Sequence, residues 1–232
     1  MVNPMTEALS FLDRVMGIAG TDAHFIPRLP GIPLSRDKWE TLERLEPAHR
    51  SAIEFMGYGW NDLWRAEQVH GADLAIVPSA TAGDRFVQGV DGLLTSGAEG
   101  ILLGVYVADC AAVYLCDRRT GALGLVHSGK QGTEREIVSQ AVARMSAEFG
   151  TRSRDLEAAI SPCIRPPCYE VDIEVTIVEQ LLGAGVPRKQ IKVSGICTGQ
   201  RVQHYYSYRV EKGKTGRMLA LLGRKKEAPK IR

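Results

Sequence analysis

Three short apolar runs separated by tight turns lie near the middle of the chain and constrain its fold more than any other feature. They cover residues 104–108, 111–116 and 122–126. Runs of this length, rich in Val, Leu and Ala and bounded by turn residues, are typical of strands in a well-covered sheet. The turn at 118–121 is too short for the crossover that joins parallel neighbours. The sequence therefore predicts a sheet that is at least partly antiparallel and excludes a doubly wound parallel fold.

Helical and strand patterns continue along the rest of the chain without an internal repeat or a linker-like segment. Apolar residues at helical spacing predict helices over 5–18, 36–45, 48–56, 133–149 and 170–182. Short apolar runs predict further strands over 74–77, 91–95, 101–108, 156–160 and 191–196, with 205–210 as an edge strand. Residues 25–35 and 57–64 are expected to be loops or connectors. This pattern favours a single α/β domain over residues 1–232.

Charge and hydropathy exclude several classes of partner. The formal net charge of the 232 residues is +2, which is too small to indicate nucleic-acid binding. No run approaches the ~20 apolar residues that span a bilayer, and Asp13 and Arg14 interrupt the apolar stretch that a signal peptide would need. We therefore expect a cytoplasmic protein that binds neither nucleic acid nor membrane, and whose oligomeric state the sequence does not indicate. Five cysteines in such a chain favour free thiols over disulfides.

Two imidazoles and one thiol stand where predicted strands meet turns. His70 lies in EQVHG, Cys110 follows Asp109 in ADC, and His127 lies in LVHSG. Two imidazoles and a thiolate suit zinc or copper, and three ligands leave the open position of a catalytic zinc site. The separations of 40 and 17 residues match no local zinc motif. The residues alone thus leave a metal site and a chance grouping both open.

A Gly-rich segment follows His127 and leads into the predicted helix over 133–149. Its residues SGKQGT combine backbone N–H groups with the charge of Lys130, as anion sites do. A plain turn before the helix is an equally good interpretation, because the spacing of a P-loop is absent. We expect His24 and His49, which stand in polar surroundings, to face solvent.

Eight motifs occur in one order along the chain and resemble those of a known family. They are QVHG at 68–71, VDGLLT at 90–95, LGVYVADCAAVYLCD at 103–117, LVHSGKQGT at 125–133, ISPCI with CYEV between 160 and 171, GICT at 195–198, YSYR at 206–209 and TGRM at 215–218. This order is similar to that of the YfiH-like laccase-domain family, also called polyphenol oxidase or peptidoglycan editing factor. The resemblance is strongest over residues 66–222.

The resemblance implies a fold, a metal and an activity. Family members have a layered α/β/β/α fold with mixed sheets, similar to the catalytic domain of cytotoxic necrotising factors. They bind zinc, sometimes reported as copper, through the residues that match His70, Cys110 and His127. Their activity is phosphorolysis of adenosine, inosine and methylthioadenosine, with adenosine deamination at the same site. By this resemblance Arg50, a looser match, is expected to contact the ligand. The charge of Lys130 and the amides at the start of the 133–149 helix are expected to hold the phosphate, with help from Arg50.

Asp109 is the neighbour of Cys110. It is expected either to orient a ligand or relay a proton, or to cap the end of a strand.

The chain also departs from the family pattern, because HSGKQG stands where the family usually has HAGWRG. Lys130 and Gln131 thus replace a Trp and an Arg beside His127, which leaves substrate choice open.

Three other functions stay open beside the phosphorylase. The first is a metal-free hydrolase with Cys110 as nucleophile and His127 as base, or an enzyme that edits a peptidoglycan precursor. The second is a copper-binding polyphenol oxidoreductase, although five His in total are too few for a multi-copper centre. The third is a metal-binding protein that has lost turnover.

Overall fold

The computed structural model describes residues 10–78 and 85–225, which form eleven strands and five α-helices. The strands are β1 Thr21–Ile26, β2 Leu63–Ala66, β3 Leu74–Ile76, β4 Phe86–Val87, β5 Gly92–Thr95, β6 Leu102–Val107, β7 Ala111–Asp117, β8 Leu123–Ser128, β9 Leu156–Ile160, β10 Ile191–Val193 and β11 Met218–Arg224. The helices are α1 Asp13–Met16, α2 Lys38–Phe55, α3 Lys130–Glu134, α4 Ile137–Phe149 and α5 Ile173–Gly183. Single turns of 3₁₀-helix connect several of them.

The strands form two mixed sheets. The first sheet has five strands in the order β1-β11-β6-β2-β4, and the second has six in the order β10-β9-β7-β8-β5-β3. In the second sheet β7 pairs antiparallel with both β8 and β9, whereas β10 runs parallel to β9. The prediction of mixed, partly antiparallel sheets is confirmed.

Alternating side chains of the central strands build a core on each side of a sheet. On β6, Leu103 and Val105 pack in the core between the two sheets, while Leu102 and Tyr106 pack under α2. Side chains that alternate along a strand point to opposite faces, so one strand serves two cores. β7 does the same, because its even-numbered residues 112, 114 and 116 face the first sheet and its odd-numbered residues 111, 113 and 115 face α4 and α5.

Helices cover the outer faces of both sheets and complete four layers. Leu42 and Ile53 of α2 lie on the first sheet, and Val138 of α4 and Ile177 of α5 lie on the second. The order of layers is helix, sheet, sheet, helix. The predicted layered α/β/β/α fold is therefore confirmed.

The two helices predicted over 36–45 and 48–56 are one continuous helix. Pro47 lies inside α2, which begins at Lys38. The side chain of Asp37, the residue before it, accepts a hydrogen bond from the backbone N–H of Glu40.

The expectation that His49 faces solvent is wrong, because its side chain is fully buried beside the Tyr106 ring. Burial lowers the pKa of His49 to about 4, so its imidazole is neutral at pH 7.

Several predicted boundaries also differ from the structure. The helix predicted over 133–149 is divided into α3 and α4, because Glu136 adopts a left-handed backbone with φ of 57°. Segment 205–210 contains turns instead of an edge strand. The predicted helix over 5–18 is reduced to a 3₁₀ turn and the four residues of α1, and its residues 5–9 lie outside the described part. β1, β2, β4 and β11 were not predicted.

No helix within the described residues is long and apolar enough to cross a membrane.

Candidate metal centre and its cavity

His70, Cys110 and His127 come from three separate segments and meet at one point. Their ligand atoms all lie within 4.8 Å of one another, and the two imidazole rings stand nearly perpendicular with centroids 5.0 Å apart. His127 is buried, Cys110 is half-buried and His70 is exposed. Two imidazoles and a thiolate at this separation fit a single zinc or copper ion. Within residues 10–78 and 85–225, this is the one group of three or more His, Cys, Asp or Glu side chains that offers such a site.

A strained turn presents His70. Both Gln68 and His70 have left-handed backbones, with φ of 63° and 62°, although neither is glycine. The Gln68 side chain holds the turn by accepting from the backbone N–H of Tyr106 at 2.8 Å and donating to the Tyr106 carbonyl. A non-glycine residue in this region costs about 1 kcal/mol or more, and such strain is concentrated at functional sites.

Asp91 anchors two of the three residues at once. It is fully buried, and one carboxylate oxygen accepts from the His70 backbone N–H at 2.9 Å and from His127 Nδ1 at 2.8 Å. The other oxygen accepts from the Gly71 N–H at 2.7 Å. With its Nδ1 held by Asp91, His127 has its Nε2 left for a metal, which is the usual arrangement of a metal-ligating histidine.

Asp109 fixes the tight connection that carries Cys110 between β6 and β7. Its φ is 83°, and its carboxylate accepts from the Thr198 hydroxyl and from the Arg209 backbone N–H, both at 2.7 Å. The Asp109 carbonyl accepts from the Ile164 N–H at 2.8 Å. Both carboxylate oxygens are thus engaged in holding neighbouring loops, which agrees with an orienting role better than with a proton relay.

The electrostatics of the centre favour a charged thiolate. Burial alone would raise the pKa of the Cys110 thiol, but the nearby His127 and His70 side chains lower it to about 6. Burial would likewise lower the pKa of His127, whereas Cys110 and Asp91 raise it to about 9. A thiolate is the form of cysteine that binds metals and attacks electrophiles.

The centre lies in a cavity of about 700 Å³, a size typical of small-molecule sites. Besides the three candidate ligands, its walls include aromatic residues and basic residues. The aromatic ones are Tyr106, Tyr169 and Tyr208, and the basic ones are Lys38, Lys130, Arg209, Lys212 and Arg217.

Comparison with known proteins identifies the family to which this arrangement belongs. The family described as multi-copper polyphenol oxidoreductase laccase matches residues 35–178 and 171–225. The chain is a member of this laccase family. The resemblance predicted from the sequence motifs is therefore confirmed.

Curated relatives of this laccase-family chain carry the name purine nucleoside phosphorylase. The one from Geobacillus stearothermophilus, YlmD, is 35% identical over 214 residues, covering 77% of this chain and 78% of the relative. One from Deinococcus radiodurans is 32% identical over 196 residues, covering 72% of each.

Solved structures in the family share the fold. The crystal structure of YlmD from Geobacillus stearothermophilus matches with a TM-score of 0.80 and 28% identity, covering 90% of this chain and 93% of that one. A hypothetical protein YfiH from Bacillus licheniformis matches with the same TM-score of 0.80 at 22% identity, covering 88% of this chain and 93% of that one.

The predicted substrate residues of this laccase-family chain lie in different places. Lys130 is at the cavity wall, where its Nζ lies 3.5 Å from Glu170. Arg50 lies on α2 outside the cavity lining, pairs with Glu46 and stacks on the Trp60 ring. The expected contact of Arg50 with a ligand in this cavity therefore has no support in the structure.

The helix predicted over 133–149, whose first amides are expected to hold phosphate, is not continuous. The segment after His127 forms the five-residue α3, and α4 begins only at Ile137. The sequence patterns predicted no role for Asp91, Lys38 or Arg217. Asp91 nevertheless lies in VDGLLT and Arg217 in TGRM.

Gly129 of this laccase-family site has no room for a side chain. A Cβ at this position would stand 2.7 Å from Cys110 Sγ and 3.4 Å from His70 Cδ2, although the extended backbone itself tolerates alanine. We expect Gly129→Ala to turn the thiol away and to weaken metal binding at this candidate site at least about tenfold, as misoriented ligands do. A competition titration with a chromogenic chelator measures this. Gly183→Ala, where no atom lies within 4 Å, is the matched control and should bind as wild type does.

Proposed function

We propose that this protein is a zinc-dependent purine nucleoside phosphorylase that acts on adenosine, inosine and methylthioadenosine, with adenosine deamination at the same site. The observation that carries the proposal is the meeting of His70, Cys110 and His127 in a cavity of nucleoside size. The names of the curated relatives support the reaction class.

The proposal assigns the metal to these three residues. His70, Cys110 and His127 would hold zinc, and the same donor set also accepts copper. When bound, the ion would supply a Lewis acid at the cavity wall. Asp91 keeps the His127 ring in one tautomer and orientation, and Asp109 holds the connection that carries Cys110.

The remaining residues of the cavity serve the small-molecule substrate. In phosphorolysis, a phosphate oxygen forms a bond to C1′ of the sugar while the C1′–N9 bond breaks. The purine leaves with that electron pair and takes a proton. Tyr169 and Tyr208 offer aromatic surface for a planar base. We assign Lys130 and Gln131 to the wall that contacts the nucleoside, in place of the Trp and Arg of the usual pattern.

The direct test measures products from inosine and adenosine with and without inorganic phosphate, using zinc-loaded protein. We expect free base and ribose 1-phosphate to form only when phosphate is present, as followed by chromatography and ³¹P NMR. Ammonia released from adenosine at the same site reports deamination. Base release at equal rates without phosphate would replace the phosphorylase with a hydrolase. No turnover of any nucleoside would contradict the proposal.

A second candidate is the Cys–His hydrolase, which one observation favours. Without a metal, His127 and His70 hold the pKa of Cys110 at about 6, so much of the thiol is a nucleophilic thiolate at pH 7. This candidate predicts activity that survives removal of zinc by a chelator and disappears on alkylation with iodoacetamide. The zinc enzyme predicts the opposite response to the chelator.

A further inference from the structure

Of the five basic side chains of the cavity, Lys212 is exposed to solvent, and the other four differ in whether a carboxylate pairs with them. Lys130 and Arg209 share Glu170, at 3.5 Å and 2.7 Å, and Arg209 also stacks on the Tyr169 ring. These two cations form a half-exposed ion-pair network at the cavity rim. Their charges are already compensated, so they are weak candidates for a strong anion site.

Lys38 and Arg217 are not paired directly with any carboxylate that the structure describes. In the described part of the chain, no carboxylate oxygen lies within 4.0 Å of either cation, although both are partly buried in the cavity wall. Lys38 Nζ donates to the Glu67 carbonyl at 3.0 Å. Arg217 Nη1 donates to the carbonyls of Thr215 and Gly216 at 3.3 Å and 2.9 Å. Neutral carbonyls fix the position of a cation, but they do not pair with its charge as a carboxylate does.

The two cations also act on each other. Burial lowers the pKa of Lys38 and the charge of Arg217 lowers it further, against the opposing effect of the Glu67 and Asp91 carboxylates. Burial lowers the pKa of Arg217 as well, against the opposing effect of Cys110, Tyr208 and Asp109. Two like charges held in partly buried positions destabilise the free protein unless a partner of opposite charge binds between them. The cavity is therefore prepared for an anion.

We propose that Lys38 and Arg217 bind the inorganic phosphate that attacks the nucleoside. This inference rests on the proposed phosphorylase function. A guanidinium and an ammonium suit the oxygens of a phosphate, since the first offers a planar pair of N–H groups and the second a point charge. Their place in the same cavity as His70, Cys110 and His127 puts the anion beside the centre where the nucleoside would bind.

The inference leads to a balanced reaction. Phosphate held by Lys38 and Arg217 attacks C1′, the new bond is O–C1′, and the C1′–N9 bond is the one that breaks. Nucleoside and phosphate give purine base and sugar 1-phosphate, with one proton passing to the base. The same anion site would also suit the 5′-phosphate of a nucleotide, so the test must separate these two sources.

The test is isothermal titration of zinc-loaded protein with inorganic phosphate, for wild type, Lys38→Met and Arg217→Met. We expect each variant to weaken phosphate binding by about tenfold to a hundredfold, because each loses a charge-assisted hydrogen bond. Lys192→Met removes the charge of an exposed lysine on β10 and should bind as wild type does. Nucleoside binding by Lys38→Met and Arg217→Met should be unchanged. In steady-state assays of these variants, the KM for phosphate should therefore rise while the KM for inosine stays the same.

The possible outcomes separate the inference from the function on which it rests. Equal phosphate binding by wild type and both variants would overturn the inference. Wild type could instead bind nucleoside 5′-phosphates but not inorganic phosphate, and the variants could lose that binding. This result would overturn the proposal that the site binds inorganic phosphate as co-substrate. Phosphate binding that the variants lose, without phosphorolysis of any nucleoside, would support the anion site and contradict the phosphorylase. If Arg217→Met unfolds at a lower temperature than wild type, the test uses Arg217→Lys and Lys38→Met instead.

Discussion

We expect Cys110→Ala to abolish stoichiometric metal binding and all metal-dependent turnover. The thiolate is one of only three candidate ligands, and its ligand atom lies within 4.8 Å of those of His70 and His127. Loss of an outer partner already costs about 10–100-fold in metal affinity, and loss of a direct ligand costs more. Metal content by mass spectrometry, on protein purified without added metal, measures the effect. Wild type should carry close to one metal ion per chain, and the variant close to none.

A matched thiol variant separates the metal site from a general loss of cysteine. Cys168→Ala removes a part-exposed thiol that does not line the cavity and should keep the metal and the activity of wild type. Full metal content in Cys110→Ala would exclude the His70–Cys110–His127 site. Absence of metal from both proteins, together with inactivation by iodoacetamide, would favour the Cys–His hydrolase.

The strands that carry the candidate ligands were predictable because local sequence determines them. Residues 156–160 were predicted as a strand and form β9 with the same bounds, and the runs around Cys110 and His127 became β6, β7 and β8 with shifts of one or two residues. Each is a short apolar run between turn residues, so the local sequence is enough to indicate a strand. The meeting of His70, Cys110 and His127 was anticipated only through the family resemblance, since their spacing matched no local motif.

β11 was missed because its signal is ambiguous. Its sequence MLALLGR contains good helix formers and no alternation, although it lies between β1 and β6 in the first sheet with six of its seven residues buried. A short apolar run buried on both faces cannot be assigned by periodicity alone. The opposite error occurred at 205–210, where Tyr205 and Tyr206 suggested a strand. The Tyr206 hydroxyl instead donates to the Leu29 carbonyl at 3.0 Å from a turn.

The residues that support the candidate ligands could not be predicted from the sequence for a different reason. Asp91, Gln68 and Arg217 act on residues that are distant in sequence and near only in the folded chain. Gln68 pairs with Tyr106 across 38 residues, and Asp91 with His127 across 36. Arg50 differs from the expectation for another reason, because its contact with a ligand was expected from the family resemblance, whereas its helix directs it to Glu46 and Trp60. Local patterns identify strands, but the assignment of partners needs the tertiary structure.

We expect Asp91→Asn to weaken metal binding by about 10–100-fold and to lower the stability of the metal-free protein by about 1–3 kcal/mol. The carboxylate accepts three hydrogen bonds, two on one oxygen from His70 and His127 and one on the other from Gly71. An asparagine amide has one oxygen, so whichever way it turns, its NH₂ group faces an N–H donor. At least one buried donor then loses its partner. His127 also loses the neighbouring negative charge that helps to raise its pKa.

Two measurements distinguish this positioning role from a general loss of structure. A chelator competition gives the metal affinity, and denaturant unfolding of the metal-free protein gives its free energy of unfolding. Asp73→Asn is the control, because Asp73 is an exposed carboxylate close in sequence to the same turn and should change neither quantity. Wild-type metal affinity in Asp91→Asn would show that His70 and His127 are held in place without this carboxylate. Loss of metal affinity with unchanged stability would instead assign Asp91 to the orientation of the ligands alone, since a buried donor without a partner would then cost nothing measurable.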